Sequence, residues 1–145
     1  MNYNKLKLEI DNDPESIGYA GKTDLAVADL LNARRYVGDY LATFKTILSE
    51  LGETISNDLI SSMEAAASSS KSVERILNVL DNGVEVNLGD AVTRGMLDAF
   101  GANAALALSE TDAIAIKALA ENQISRSQQL GFGTVKSYDV RRANQ

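Results

Sequence analysis

The sequence predicts an all-α protein, a compact array of about seven to eight short-to-medium helices. Three observations predict it. Apolar residues recur at three- and four-residue spacing through most of the chain. Serine, threonine or aspartate stands ahead of several of these stripes as a candidate N-cap. Glycines and an Asp-Asn-Gly cluster close them. At 145 residues, 45% of them apolar, the chain is long enough to bury a real core. No linker or internal repeat divides it, so a single helical domain over 1–145 is expected. The longest helices are expected near 37–51 and 110–130.

Taken in order, Tyr3, Leu6 and Ile10 form the stripe of a short first helix. Pro14 ends it by disfavouring helical backbone at Asp13. Gly18 and Gly21 bracket a turn around Tyr19-Ala20. Thr23 caps a second helix, with Asp24 facing its dipole and Leu25, Ala28 and Leu31 (or Leu30) inward. Val37, Tyr40, Leu41, Phe44, Ile47, Leu48 and Leu51 make an uninterrupted stripe that predicts a third helix, closed by Gly52. Thr54 opens a fourth, with Ile55, Leu59, Ile60, Met63 and Ala67 inward. Ser70 or Ser72 caps a fifth over Val73, Ile76, Leu77 and Leu80, stopped at Asp81-Asn82-Gly83. Val84-Glu85-Val86 is an extended connection, too short to stand as a strand. A sixth helix from about Gly89 to Phe100 uses Val92, Met96, Leu97 and Phe100. Ser109 with Asp112 resembles a capping box and opens a seventh. It is expected to run to Leu130 through Ile116, Leu119, Ala120 and Ile124, closed by Gly131. Ser137 caps a last short helix, Tyr138 to Ala143. The alanines at 99, 102, 104, 105 and 107 offer close helix approach or a subunit contact.

Composition removes much chemistry. With no histidine, cysteine or tryptophan, the chain lacks the usual neutral-pH general base, the thiol nucleophile and the commonest zinc ligands. The expectation is a non-enzyme with no cofactor and no metal. The net charge of −6 is spread over both halves, with 7 basic and 11 acidic residues in 1–72 and 7 and 9 in 73–145. Neither half is a charged tail, and a basic footprint for nucleic acid is missing. No apolar run approaches the roughly 18–20 residues of a membrane span, and the N-terminus does not read as a signal peptide.

Three patterns are weighed as sites. Asp11, Asp13 and Glu15 suggest a calcium loop, but position 6 from Asp11 is Ser16 and position 12 is Lys22, where glycine and glutamate are needed. Gly131-Phe132-Gly133 is too short for a phosphate loop and reads as a helix cap and turn. Glu85 and Asp90, beside the Asn82-Gly83 loop, are the one carboxylate pair a glycosidase-like reading would choose. What is left is protein contact. The C-terminal cations Arg126, Lys136, Arg141 and Arg142 suit ion pairs with a partner or simple solvation, and Tyr3 marks the N-terminal end as a second candidate contact. Tyr19 is either a core plug with a bonded hydroxyl or an exposed contact.

Two segments carry a family resemblance. Asp13-Pro14-Glu15-Ser16-Ile17-Gly18-Tyr19-Ala20-Gly21-Lys22-Thr23-Asp24, with Ala26-Val27-Ala28-Asp29-Leu30-Leu31-Asn32, resembles the opening of small proteins encoded by tailed bacteriophages. Ser125-Arg126-Ser127-Gln128-Gln129-Leu130-Gly131-Phe132-Gly133-Thr134-Val135, with Asp139-Val140 and Ala143, is similar to their close. The resemblance covers roughly a third of the chain; the middle matches only in helical pattern. It implies a virion structural protein of the tail, neck or tail-fibre region. The implied partners are other phage structural proteins, with homo-oligomers in a symmetric assembly and no direct nucleic-acid or membrane contact. The alternative is a non-virion phage factor that binds and inhibits a host defence protein through its acidic surface.

Overall fold

The computed structural model describes all 145 residues, Met1–Gln145. Nine helices account for 59% of the chain and short strands for 6%. The protein is mostly helical, and the all-α expectation holds only roughly, because four strands of two or three residues each are present. The chain gathers into two compact units, Met1–Tyr36 with Asn122–Gln145, and Val37–Glu121. Each has its own apolar core. No helix is long and apolar enough to cross a membrane.

The first unit contains α1 (Tyr3–Asn12), α2 (Asp24–Asn32), β1 (Arg34–Tyr36), β4 (Ile124–Ser125), α8 (Arg126–Gln129) and α9 (Ser137–Ala143). Asn2 caps α1 and Thr23 caps α2 through side-chain oxygens. Asp13 ends α1 in the left-handed region, and its carboxylate then accepts from the Ile17, Gly18 and Tyr19 amides at 2.7, 2.7 and 3.4 Å. That one side chain sets the turn the glycines only permit. Leu6, Tyr19, Val27, Ala28, Leu31, Val135, Val140 and Ala143 form the core, with α9 packed on both α1 and α2. Leu25, expected inward, is 62% exposed, and Val27 takes the buried position. Strand β1 pairs antiparallel with β4, with an irregularity between Arg34 and Tyr36.

The second unit contains β2 (Leu41–Ala42), α3 (Phe44–Leu51), α4 (Glu53–Ala67), α5 (Lys71–Asp81), β3 (Val86–Asn87), α6 (Ala91–Ala102) and α7 (Glu110–Ala118). Ile47, Leu59, Met63, Leu80, Leu97, Leu108 and Ile116 lie at its centre. The helix expected over 37–51 begins only at Phe44. Ahead of it the backbone is extended, because 86–89 supplies what a helix would have to replace. Leu88 N–H donates to the Tyr40 carbonyl at 2.9 Å, while the Asn87 side-chain oxygen accepts from the Tyr40 and Gly89 amides at 3.1 and 2.9 Å. Thr43 and Thr46 then form a reciprocal capping box that starts α3.

The expected helix over 110–130 stops at Ala118. Asn122 adopts positive φ (55°), and Ser125 opens a separate short helix with Gln128 as its capping partner. The longest helices are therefore α4 and α6, with 15 and 12 residues. On α6, Val92 is 65% exposed, and the β-branched residue facing the core is Thr93. The alanines at 99, 102, 104, 105 and 107 are all exposed. Close helix approach occurs instead at Gly101, where a Cβ would stand 2.9 Å from the Glu110 Cα and 3.1 Å from the Ala113 Cβ.

Candidate functional site

All six residues chosen from the sequence as contacts fall in the first unit, in two clusters and a remainder. The outer cluster forms where α1 meets α9. The Tyr3 hydroxyl donates to Asp139 Oδ1 at 3.2 Å, and Asp139 Oδ2 accepts from the Lys136 amide at 3.0 Å. The Arg142 guanidinium lies 4.7 Å from the Tyr3 ring centroid, within cation–π range. Buried Asp139 thus joins the first helix to the last. Arg141 points to α2, its Nε 3.2 Å from Asp24 Oδ2. Lys136 is exposed, and its ammonium has no partner in the chain.

The inner cluster surrounds Glu9. Arg126 grips that carboxylate with two bonds, Nε to Oε1 at 2.8 Å and Nη2 to Oε2 at 2.9 Å. Its Nη1 lies 3.5 Å from Glu15 and donates to Gln129 at 3.2 Å. The Tyr19 hydroxyl donates to Glu9 Oε1 at 3.4 Å. Tyr19 is 2% exposed, so it is the plug and offers no partner any surface. Burial, then the carboxylates of Glu9 and Asp13, push its ionisation well above the ordinary tyrosine range. The bond to Glu9 holds the Arg126 proton more tightly still, against an opposing effect of burial. Tyr36 is raised by burial and by Glu15, with Arg126 and Arg35 pulling the other way. These are structural ties: every oxygen near the guanidinium already belongs to the fold.

Most of the other sequence candidates are engaged as well. Burial, the largest single influence on Asp13, raises its titration, but its three backbone donors together outweigh it and it titrates below its ordinary value. Asp11 pairs with Lys7 at 3.5 Å, and Glu15 with Arg126. Asp90 caps α6 by accepting from the Val92 and Thr93 amides, whereas Glu85 is an exposed loop charge. Gly131 and Gly133 both have positive φ, and between them the Phe132 amide donates to the Ser127 carbonyl at 2.8 Å. The Lys5 ammonium closes that turn by bonding the Leu130 carbonyl (2.8 Å) and standing 5.5 Å over the Phe132 ring.

Three organising residues escape sequence reasoning. Glu9 stands three residues after Leu6, on the buried side of α1, and that spacing was the available signal. Asp139 stands four residues before buried Ala143 on α9, a like spacing. Asn32 stands four residues after buried Ala28 on α2; its amide bonds Val135 O at 2.6 Å and its oxygen accepts from Val135 N and Ser127 Oγ at 3.0 and 3.1 Å. No protein-family model, curated protein or solved structure matches the chain.

Proposed function

We propose that the chain is a structural protein of a bacteriophage particle, placed in the tail, neck or tail-fibre region and acting through protein–protein contacts. One observation carries this reading. The two segments that resemble phage proteins, 13–32 and 125–143, fold together in one unit, tied by Asn32 to Val135 and Ser127 and by Arg141 to Asp24. The shared residues therefore maintain a scaffold. They do not surround a cavity holding a reactive set. That scaffold keeps exposed side chains suited to contact: Leu8 and Tyr138, 61% and 59% exposed, and the Lys136 ammonium.

The partners are other phage structural proteins, with further copies of this chain in a symmetric ring, where repetition multiplies a modest interface. The protein is made in the host cytoplasm and resides in the virion, without direct contact to DNA or membrane. Mass spectrometry of gradient-purified particles tests this: the chain is expected at a fixed copy number per particle. Its absence from particles, with a stoichiometric host protein recovered on pull-down from infected cells, would establish instead a factor that inhibits a host protein.

A further inference from the structure

An open groove of about 260 Å³ in the first unit is bounded by Arg34, Ser125, Gln128, Gly133 and Thr134, over a floor that includes Asn32 and Ser127. Arg34 is the one charged residue of its lining, which includes no carboxylate. Arg34 is exposed and makes no ion pair within the chain, although the protein carries a net charge of −6. The acceptors in the floor are occupied. Asn32 Oδ1 takes the Val135 amide and the Ser127 hydroxyl, and Ser125 Oγ takes the Gln128 amide at 3.3 Å and shares a proton with Ser127 at 2.8 Å.

The donors are not occupied. Gln128 uses Oε1 to accept from the Ser125 amide at 2.9 Å, which leaves its NH2 group unused. The Gly133 and Thr134 amides find no acceptor in the chain, and neither does the Thr134 hydroxyl. Gly133 has φ +69°, and a left-handed residue beside ordinary ones is how consecutive amides come to make an anion-binding concavity. A cation, a carboxamide, a hydroxyl and two amides with vacant hydrogens, with no competing anion, constitute a site for negative charge.

We propose that this groove binds a phosphate-like tetrahedral oxyanion, either as the free ion or as a phosphoryl group on a larger molecule. Its donors come from three separate segments, β1, α8 and the 131–134 turn. A tetrahedral dianion can use all of them, whereas a planar carboxylate is satisfied by the arginine fork alone. The site does not depend on the proposed place in the virion.

The test is a 1H–15N NMR titration of the full chain with inorganic phosphate near pH 8, where phosphate is mainly the dianion, at constant ionic strength. O-phosphoserine and acetate serve as parallel ligands. Saturable shifts of the Gly133 and Thr134 amides are expected with phosphate. Phosphoserine shifting the same amides marks a pendant phosphoryl group as a ligand; phosphate alone doing so marks the free ion. Arg34→Gln is expected to weaken binding at least about 10-fold, the loss of one hydrogen bond to a charged group. Gln128→Glu keeps the Ser125 cap but places a carboxylate in the groove, and should abolish binding while the remaining spectrum is preserved. Linear shifts up to roughly 50 mM phosphate, equal saturation by acetate, or unchanged affinity in Arg34→Gln would each overturn the proposal; 50 mM is well past the millimolar constants of even weak specific sites.

Discussion

A charged pair at low exposure is a stake in the fold whichever way its net energy falls. The Glu9 and Arg126 side chains are 5% and 13% exposed, and the two are bonded bidentately across 117 positions of sequence. Desolvation opposes such a pair, so its net contribution is small, but removing one partner leaves the other charge buried. Arg126→Ala is therefore expected to cost about 3–5 kcal/mol at neutral pH, a large share of the roughly 5–15 kcal/mol that holds a domain together. Tyr19 cannot rescue Glu9, since its single 3.4 Å bond leaves the second oxygen bare. Adding Glu9→Leu to Arg126→Ala should recover most of the loss. Urea unfolding of the single and double variants decides it: a single-variant cost under about 1 kcal/mol means the pair behaves as a surface one. At this scale the sequence was half legible. Arg126 is visible as a charge near a turn, but its partner lies on another helix, and only tertiary structure brings them together.

Secondary structure was most legible where its cause is local. Thr23, Ser70, Ser109 and Gly52 mark helix ends by the bonding of their own neighbourhood, and each holds that place. The apolar stripe of 37–51 misled because periodicity reports only which side of the chain is greasy. It is silent about competing backbone partners, and here the Tyr40 and Gly89 amides converge on Asn87. The same segments meet at a glycine pair that periodicity cannot register. A Cβ at Gly89 would lie 2.0 Å from the Gly38 carbonyl oxygen and 2.8 Å from its carbon. Both are backbone atoms, so no side chain can swing aside. Gly89→Ala must move the 38–42 segment away from 86–89, and it is expected to lower stability by about 1–3 kcal/mol, the usual range for overpacking. Gly95→Ala is the control, because a Cβ there meets nothing within 4 Å and Gly95 lies inside α6. It should be neutral or stabilising by up to about 1 kcal/mol. Thermal unfolding of the two variants, read side by side, checks the contrast; equal midpoints would mean the glycine contact is not tight.

The partition into two units is the feature least legible in the chain, because no linker announces it. Its basis is how each unit closes its own ends. In the first, the Gln123 amide donates to the Tyr36 carbonyl at 3.0 Å. In the second, the Gly38 amide donates to the Ala120 carbonyl, also at 3.0 Å. Each unit therefore brings the two points where the chain enters and leaves it side by side, as an inserted domain must. Segments 13–32 and 125–143, on which the proposed function rests, lie wholly in the first unit, and the second unit is the stretch between them. This topology predicts that the second unit folds by itself. Residues 37–121 expressed alone retain every contact of the core around Ile47, Met63, Leu97 and Ile116, and should unfold cooperatively with the helical signal of the full chain's α3–α7. The first unit, with the insert replaced by two or three glycines between Tyr36 and Asn122, faces a harder test. It is near the roughly 60-residue size at which a chain buries only about 60% of its unfolded surface and stability is marginal. It should still unfold in a cooperative transition, but at a lower temperature than the second unit, because its shorter helices and smaller core have less apolar surface to bury against chain entropy. Circular dichroism melts of the two fragments distinguish the cases. A fragment 37–121 without a cooperative transition would mean that the closure at Gly38 and Ala120 is a consequence of the whole chain, and that the insert is not an independent fold.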